Sequence, residues 1–307
     1  VAGPAAVPTP RAVRPQRHRQ GQVLMSGYMS GVIAILGINI IFAYAIFVTA
    51  AAGQLNLGGA GFQAIGAYAA AILSIEFGLG IVTTIILSTI VGGLIGFLIA
   101  FPILRTRGVY MVLATFAFAE VVIGIILNSD YLGGAMGLIM SDYIETPVII
   151  WCTLGVTAFI FYLMATPLGL AMRAVHDDEP VANLMGVHNR AVQVGAFALG
   201  GALAGLSGAL YAYYFGFVEV QYFNAFLSIF VLLYVLIGGT QTAWGPLFGA
   251  AFFTLIPEAL RIGEDWRFLI FGVLIVVLMI FRPEGIVTRD ILDRLWLRLP
   301  PKGRTDG

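Results

Sequence analysis

Long apolar runs dominate the chain and are separated by short polar turns. A bilayer core about 30 Å thick is crossed by roughly 20 apolar residues in an α-helix, so runs near this length predict membrane-spanning helices. The clearest runs occupy residues 28–51, 82–104, 109–127, 148–165, 192–217 and 268–281.

Two further regions, 53–73 and 226–260, are apolar but less regular, because Gly, Asn, Gln or Thr interrupts them. Exposed backbone at membrane depth costs several kcal/mol for each unpaired polar group, so such segments must face protein or a watery cavity. We therefore predict that both regions are broken or re-entrant. The fold class that follows is an all-α polytopic membrane protein with about eight transmembrane helices, including these broken or re-entrant segments.

Composition supports this prediction. Of the 307 residues, 60% are hydrophobic and 10% are charged, whereas a soluble domain carries about 25% charged residues. The spanning helices leave no room for a separate soluble catalytic domain, and nucleic acid is not an expected partner. The single cysteine, Cys152, excludes an intrachain disulfide.

The placement of arginine predicts the orientation, because loops rich in Lys and Arg stay in the cytoplasm. The connections between the basic segments carry acids and no Lys or Arg, apart from the loop that holds Arg261 and Arg267. We expect a disordered cytoplasmic tail at 1–27, a permease domain at 28–286 with a cytoplasmic loop at 167–190, and a cytoplasmic tail at 287–307. Both termini would then be cytoplasmic. The basic residues behind this prediction include Arg11, Arg14, Arg17, Arg19, Arg105, Arg107, Arg173, Arg190, Arg282, Arg289, Arg294 and Arg298.

The longest polar loop contains a short amphipathic helix by its pattern. Pro180 suits the first helical position and follows three acids, which favour the positive end of a helix. A helix from Pro180 to about Gly186 places Val181, Leu184 and Met185 on one side, at positions i, i+3 and i+4. Such a helix lies on a membrane or inserts into a groove on a partner, and the adjacent acids favour the partner.

The same loop carries a family resemblance. The stretch PLGLAMRAVHDDEPVANLMGVHNRAVQVGAFALGGALAGLSGALYA is similar to the loop and following helix of permeases in bacterial ATP-binding-cassette importers for branched-chain amino acids, and it most resembles the LivM-type subunit. Supporting matches are GQLNLGGAGFQAIGAYAAA, GVYMVLATFAFAE, LIGGTQTAWGPLFGA and FRPEGI, in the expected order. Together they cover roughly residues 53–286.

The resemblance implies that the loop holds a coupling helix, which docks on a cytoplasmic ATPase. It also implies a second homologous permease subunit, two ATPase subunits that hold ATP-Mg, an external solute-binding protein and a bacterial inner-membrane location. No cofactor would bind this chain directly. The positions that match the coupling motif are Gly169, Arg173, Ala174, Glu179, Ala182, Gly186 and Val187.

ATP hydrolysis by this chain is not expected. A P-loop needs a lysine after glycine and before Ser or Thr, but the only lysine, Lys302, lies between Pro301 and Gly303. No Ser/His/Asp or Cys/His arrangement suggests nucleophilic catalysis. His18, His176 and His188 lack metal-ligand spacing, so we interpret them as solvated surface residues and predict no metal site.

Candidate residues for a solute path are polar groups within the apolar segments. Glu120 lies well inside a predicted helix, and a charge there should face the interior, either on the path or gate or in an interhelical hydrogen bond. Amide and hydroxyl groups of the two irregular regions can contact a passing zwitterion, and broken helices often line transport paths. These residues are Gln54, Asn56, Gln63, Thr240, Gln241 and Thr242.

The sequence therefore predicts a permease subunit, not an enzyme. The substrate class that the resemblance implies is a branched-chain or other hydrophobic amino acid, with urea or short amides as an alternative in the same family. A second alternative is a gradient-driven secondary transporter or channel, in which Glu120 would be a proton or ion site.

Overall fold

The computed structural model describes the backbone of residues 17–259, 272, 273 and 276, and the side chains of residues 27–256 and of the same three positions. Helix dominates this part of the chain, as the apolar runs predict. Between residues 17 and 259 the helices are α1 (Arg17–Ala51), α2 (Gly59–Ile75), α3 (Ile81–Ile103), α4 (Val109–Leu127), α5 (Thr146–Ala165), α6 (Pro167–Asp177), α7 (Glu179–Leu184), α8 (Asn189–Phe215), α9 (Ala225–Gly238) and α10 (Trp244–Ala259).

Helices α3, α4, α5, α8 and the 27–51 part of α1 are long and apolar enough to cross a membrane, judged by length and composition. Helices α2, α9 and α10 are also apolar but shorter. This arrangement confirms the all-α polytopic fold. The predicted bounds of α4 agree with the structure and those of the other four helices are close, whereas the run at 268–281 falls almost entirely outside the described residues.

Small residues let α3, α8 and α2 pack backbone against backbone. A Cβ placed on Gly92 would lie 2.5 Å from the carbonyl oxygen of Gly201, and one placed on Gly201 would lie equally close to the carbonyl oxygen of Gly92. Gly66 of α2 likewise abuts the backbone of Gly205. Since lipid is as apolar as a leucine side chain, close packing of this kind is a principal source of helix association in a bilayer.

Contacts between helices define two ends of the bundle. At one end, which we call the loop end, lie α6 and α7, and His176 of α6 contacts the carbonyl oxygen of Ala50 near the end of α1. At the other end, which we call the far end, the Thr146 hydroxyl at the start of α5 donates to the carbonyl oxygen of Ser30. Helix α1 therefore runs from the far end to the loop end.

This direction corrects one prediction. The tail at 1–27 was expected to share a side with the 167–190 loop, but α1 begins at the opposite end from that loop. The error arises because the region 53–75 completes a full crossing, which the arginine pattern does not reveal. Helix α1 also begins at Arg17, inside the segment predicted to be disordered, while residues 1–16 and the tail at 287–307 lie outside the described residues.

The far end is closed by linked loops. Strands β1 (Leu138–Ile139) and β2 (Phe217–Val218) pair antiparallel and join the α4–α5 connection to the end of α8. The Tyr131 hydroxyl donates a hydrogen bond to the Glu76 carboxylate, which raises the pKa of the phenol. These contacts tie the connections that follow α2, α4 and α8 to one another.

Candidate functional site

The short amphipathic helix predicted in the loop is present as α7, from Glu179 to Leu184. Asp178 caps its N-terminus, because its Oδ1 accepts a hydrogen bond from the Val181 amide at 3.0 Å. Gly186 ends the segment with a φ of 86°, a conformation that other residues rarely adopt. The sequence placed this helix within about one turn of its observed bounds.

Three apolar side chains of α7 project from the protein. Leu184 and Met185 are 87% and 81% exposed, and Val181 is 52% exposed. Ala182, on the opposite side of the same turn, is buried. The loop therefore presents an apolar surface, which we call the α7 knob (Val181, Leu184 and Met185), on a base that packs against the protein.

Helix α6 holds this base against α5. Gly169 lies so close to the last turn of α5 that a Cβ would approach the carbonyl oxygen of Leu163 and the Cα of Met164 to 2.6 Å each. The Arg173 guanidinium donates to the carbonyl oxygen of Met164 at 2.8 Å, which places a cation at the negative end of α5. Ala174 is half-buried and its carbonyl oxygen accepts from the Asp178 amide, which joins α6 to α7.

The loop is also bound to the helices that pass through the bundle. His176 is exposed, as predicted for a surface histidine, and its Nδ1 also lies 3.0 Å from the carbonyl oxygen of Ala50. The Asn189 side chain donates to the carbonyl oxygen of Glu179 at 2.6 Å, and the Gln193 amide lies 3.4 Å from the Glu179 carboxylate. Helices α6 and α7 are therefore in direct contact with α1 and α8.

The first irregular region is a broken crossing. After Gly53, with a φ of 77°, the chain runs without helix to Gly58 and then enters α2, which ends at the far end. Side chains bind the free amides at this break: Thr115 Oγ1 accepts from the Leu57 amide and Ser228 Oγ accepts from the Ala60 amide. Asn56 Oδ1 accepts from the Gly58 amide.

Polar side chains of this region are buried rather than open to a path. The Gln63 amide donates to the Ser207 hydroxyl at 2.9 Å, and that hydroxyl donates to the carbonyl oxygen of Ile38. Gln63 thus joins α2 to α8, whereas the bond of Asn56 is local to the break; that these amides contact the solute stays a prediction. Gln54 differs, since it is only 1% exposed and neither atom of its amide has a hydrogen-bond partner among the described residues.

The second irregular region is a helical hairpin, not a broken crossing. Helices α9 and α10 pack closely through glycines, because a Cβ on Gly249 would overlap the Tyr234 carbonyl oxygen. Thr240 and Gln241 lie in the turn between the helices and line a cleft of about 120 Å³ together with His176 and neighbouring residues of the loop end. Thr242 lines an adjoining cleft. That these three residues contact the solute stays a prediction.

Glu120 also departs from the prediction. It lies on the exposed side of α4, whereas the buried stripe of that helix is formed by other residues. The expectation that it faces the interior of this chain is wrong, because α4 packs through its opposite face against α2. The buried stripe is Met111, Thr115, Ala119, Val122 and Ile126.

The sequence patterns do not single out four residues that organise these sites: Thr115, Ser207, Ser228 and His176. The three hydroxyls are isolated Ser and Thr residues in apolar helices, and nothing local marks which backbone amide or amide side chain each one contacts. For His176, the available signal is its place in the final turn of a basic amphipathic helix, where a cation or donor can reach nearby carbonyl groups.

Comparisons with known proteins identify a matching family and several similar membrane permeases. Residues 28–281 match the family described as branched-chain amino acid transport system / permease component. The chain is 30% identical over 295 residues to the high-affinity branched-chain amino acid transport system permease protein LivM of Escherichia coli (strain K12), covering 83% of this chain and 67% of the relative. The Salmonella typhimurium LivM protein is 31% identical over the same shares.

A more distant likeness covers part of the chain. The autoinducer 2 import system permease protein LsrC of Escherichia coli O9:H4 is 30% identical over 140 residues, which is 43% of this chain and 41% of that protein. No solved structure gives a significant match. The family match includes most of α1 and all of α2 to α10, and the two LivM relatives cover 83% of the chain. Permeases of this kind are transport subunits whose ATPase is a separate subunit. The chain therefore belongs to the permease components of branched-chain amino acid transport systems, of LivM type, and is not itself an enzyme.

Proposed function

We propose that this chain is the subunit of an ATP-driven importer that forms part of the path for branched-chain or other hydrophobic amino acids and is driven through the α7 knob. The observation that carries the proposal is the knob itself: three exposed apolar side chains stand on a loop that is braced against α5, α1 and α8. An apolar surface of this kind fits a groove on a soluble partner.

The bracing explains how force would pass from the partner to the membrane helices. A displaced α7 moves Glu179, whose backbone and carboxylate are bound by side chains of α8. A displaced α6 moves His176, which contacts the end of α1 next to the break at residues 53–58. Because α8 packs on α3 and α2 through glycines, a shift of α8 reaches the helices around it.

Charge supports an orientation with the loop end in the cytoplasm. Arg105, Arg107 and Arg190 line a groove beside α7, and Arg173 braces α6 at the same end. The far-end connections at 76–80, 128–145 and 216–224 contain acids and no Lys or Arg, although the start of α1 brings Arg17 and Arg19 to the same end. This asymmetry is the one that keeps a loop on the cytoplasmic side.

The assembly we propose contains a second homologous permease, two cytoplasmic ATPases that hold ATP-Mg and an external solute-binding protein, in a bacterial inner membrane. The substrate class rests on the printed function of the LivM relatives. Within this chain, Gln54 is a path candidate that is buried with neither amide atom hydrogen-bonded among the described residues.

The proposal is tested by placing a charge on the knob. Leu184→Asp and Met185→Asp should each abolish ATP-driven uptake and reduce co-purification of the ATPase by at least about tenfold, because burying an unpaired carboxylate in an apolar groove is strongly unfavourable. The measurement is uptake of labelled leucine into vesicles that hold the full complex, together with quantitative pull-down in mild detergent.

Leu170→Asp is the matched control, since Leu170 is also exposed at the loop end but lies on α6. We expect this variant to keep most of the uptake and ATPase association. Normal uptake by the Leu184 and Met185 variants would refute the role of the knob.

A further inference from the structure

We propose that a groove at the loop end binds one anionic phospholipid, with the lipid phosphate at three arginines and an acyl chain along α3. We call this cavity the basic groove (Phe97, Phe101, Arg105, Arg107 and Arg190). The inference goes beyond the proposed function, because it requires only that the chain spans a membrane. It concerns a different surface from the α7 knob.

The basic groove is a cavity of about 1240 Å³ beside α7. The turn between α3 and α4 supplies Arg105 and Arg107, and the first turn of α8 supplies Arg190. These two segments are far apart in sequence. The fold, and not a local run of charge, therefore brings the three arginines to one cavity.

The arginines of the groove are not used to hold the fold together. All three are exposed, and none of their guanidinium groups has a hydrogen-bond or ion-pair partner among the described residues. Arg173 differs, since its guanidinium donates to the carbonyl oxygen of Met164. The acid that lines the groove, Glu179, is half-buried, and its carboxylate lies 3.4 Å from the Gln193 amide. The groove therefore carries a net positive charge.

The opposite part of the groove is apolar and lies deeper in the membrane. Phe97 and Phe101 line it from one face of α3, with their ring centroids 5.1 Å apart, and both rings are partly exposed. Phe97 precedes the last residue of α3, Ile103, by six positions, so the groove extends about 9 Å along this helix. Helix α3 is long and apolar enough to cross a membrane.

This combination matches the chemistry of an anionic phospholipid. A phosphate with hydrocarbon attached would place its charge at the arginines and its chain against the two phenylalanines. Basic pockets between membrane helices bind anionic head groups in this way, and each cation near the surface strengthens the attraction. A ligand with only one of the two properties would leave either the cations or the aromatic wall without a partner.

A soluble partner fits the groove less well than a lipid. A cytoplasmic ATPase would not reach Phe97, because that residue lies inside a helix that spans the membrane. The three residues of the α7 knob do not line the groove, whereas Pro180 and Asn183 of α7 do. A partner seated on the knob would therefore leave the groove open to the bilayer.

Other parts of the chain lack the charge that the groove requires. Residues 1–16 contain two arginines and no acids, and residues 260–307 contain eight Lys and Arg residues against six Asp and Glu residues. Both segments are net positive, so neither complements the arginines. A second copy in a two-fold contact at this surface would bring the same arginines against one another. Charge complementarity thus favours the anionic lipid.

The first test measures lipid binding to the purified, delipidated full chain by native mass spectrometry. Dioleoyl phosphatidylglycerol should bind at least about tenfold more tightly than dioleoyl phosphatidylcholine. The combined variant Arg105→Gln, Arg107→Gln and Arg190→Gln should weaken phosphatidylglycerol binding by about a hundredfold, from about fivefold for each lost cation. The three Arg→Lys substitutions keep the charge and are the matched control, which should bind within a fewfold of the wild type. Equal affinity of the wild type and the Gln variant for phosphatidylglycerol would overturn the proposal.

A competition experiment separates a lipid from a free phosphate. Glycerol 3-phosphate carries a phosphate without acyl chains, so at millimolar concentration it should not displace phosphatidylglycerol from the chain. Phe97→Ala combined with Phe101→Ala should weaken phosphatidylglycerol binding severalfold, because it removes the apolar wall. Displacement by glycerol 3-phosphate, or full binding by the double Ala variant, would show that the groove does not hold a lipid.

Photocrosslinking in native membranes identifies what occupies the groove in the cell. A benzophenone amino acid at Phe101 should form phospholipid adducts that are at least about fivefold richer in anionic lipid than those formed at Tyr162, by the same effect of nearby cations. Tyr162 is the matched control, because it is an exposed aromatic residue near the loop end of α5. Adducts of equal lipid composition at the two positions would contradict the proposal. So would adducts at Phe101 only with an ATPase, with residues 260–307 or with a second copy of this chain.

Discussion

The two polar interruptions of the chain look alike in sequence and differ in structure. Both combine glycine with amide or hydroxyl residues inside apolar segments. The first, at 53–58, begins beside His176 at the loop end and continues among buried residues. There Thr115 accepts from the Leu57 amide, Asn56 accepts from the Gly58 amide, and Ser228 accepts from the Ala60 amide at the start of α2. The second, at 239–243, is a turn at the loop end. Polar residues within an apolar region therefore indicate a break in the helix but do not reveal how deep the break lies.

The depth at which each break lies depends on the hydrogen-bond partners that the rest of the chain supplies. Thr115 and Ser228 are distant in sequence from the first break, yet both accept hydrogen bonds from its amides. Without such acceptors, a non-helical segment inside a bilayer would leave backbone groups unpaired. The turn at 239–243 is at the end of the bundle and lines clefts there. The comparison predicts large effects of mutation near the first break and small effects at the second.

The largest effect is expected where α2 leaves the first break and packs on α8. Gly66→Leu would drive a side chain into the backbone of Gly205, so we expect destabilisation at or above the usual range of about 1–3 kcal/mol for overpacking. Thermal unfolding of the purified protein, followed by size-exclusion chromatography with fluorescence detection, measures this effect. Gly195→Leu on α8 is the control, because a Cβ there meets nothing within 4 Å, and it should unfold near the wild-type temperature.

An intermediate effect is expected from removing one acceptor at the break. Thr115→Val keeps the shape of the side chain but leaves the Leu57 amide without its acceptor, which should cost about 1–3 kcal/mol of unfolding free energy. Thr89→Val provides the comparison, since the Thr89 hydroxyl bonds only a carbonyl of its own helix. Equal unfolding temperatures for the two variants would contradict the importance of the capped break.

The smallest effect is expected in the turn. Gln241→Ala removes an exposed side chain and should change the unfolding free energy by less than about 0.5 kcal/mol, as surface substitutions usually do. Uptake by the complex should stay within twofold of the wild-type rate. A loss comparable with that of Thr115→Val would show that the two interruptions are not different in kind.

Much of the fold follows from the apolar pattern. The bounds of α4 and the position of α7 could be predicted because each depends on local signals: the length of an apolar run in one case, and Pro180 with its capping acids in the other. The direction of α1 could not be predicted, because it depends on whether the region 53–75 crosses or returns. That outcome is set by contacts with Thr115 and Ser228, which lie far away in sequence.

The residues of the candidate site were also predictable only in part. The α7 knob has the exposure that its amphipathic pattern indicates. Glu120 does not lie where the pattern suggests, because it is on the exposed side of α4 and not on the buried stripe of that helix. His176 contacts Ala50, and Glu179 is bound by Asn189 and Gln193; such pairings have no signature in one sequence.

The most direct test of the central claim is uptake by purified components in sealed vesicles. With the second permease, the ATPases and the binding protein present, we expect leucine to accumulate only when ATP is on the side of the ATPases. Vesicles that hold this chain alone should accumulate none under a proton or sodium gradient. Accumulation by the chain alone under either gradient would contradict the account.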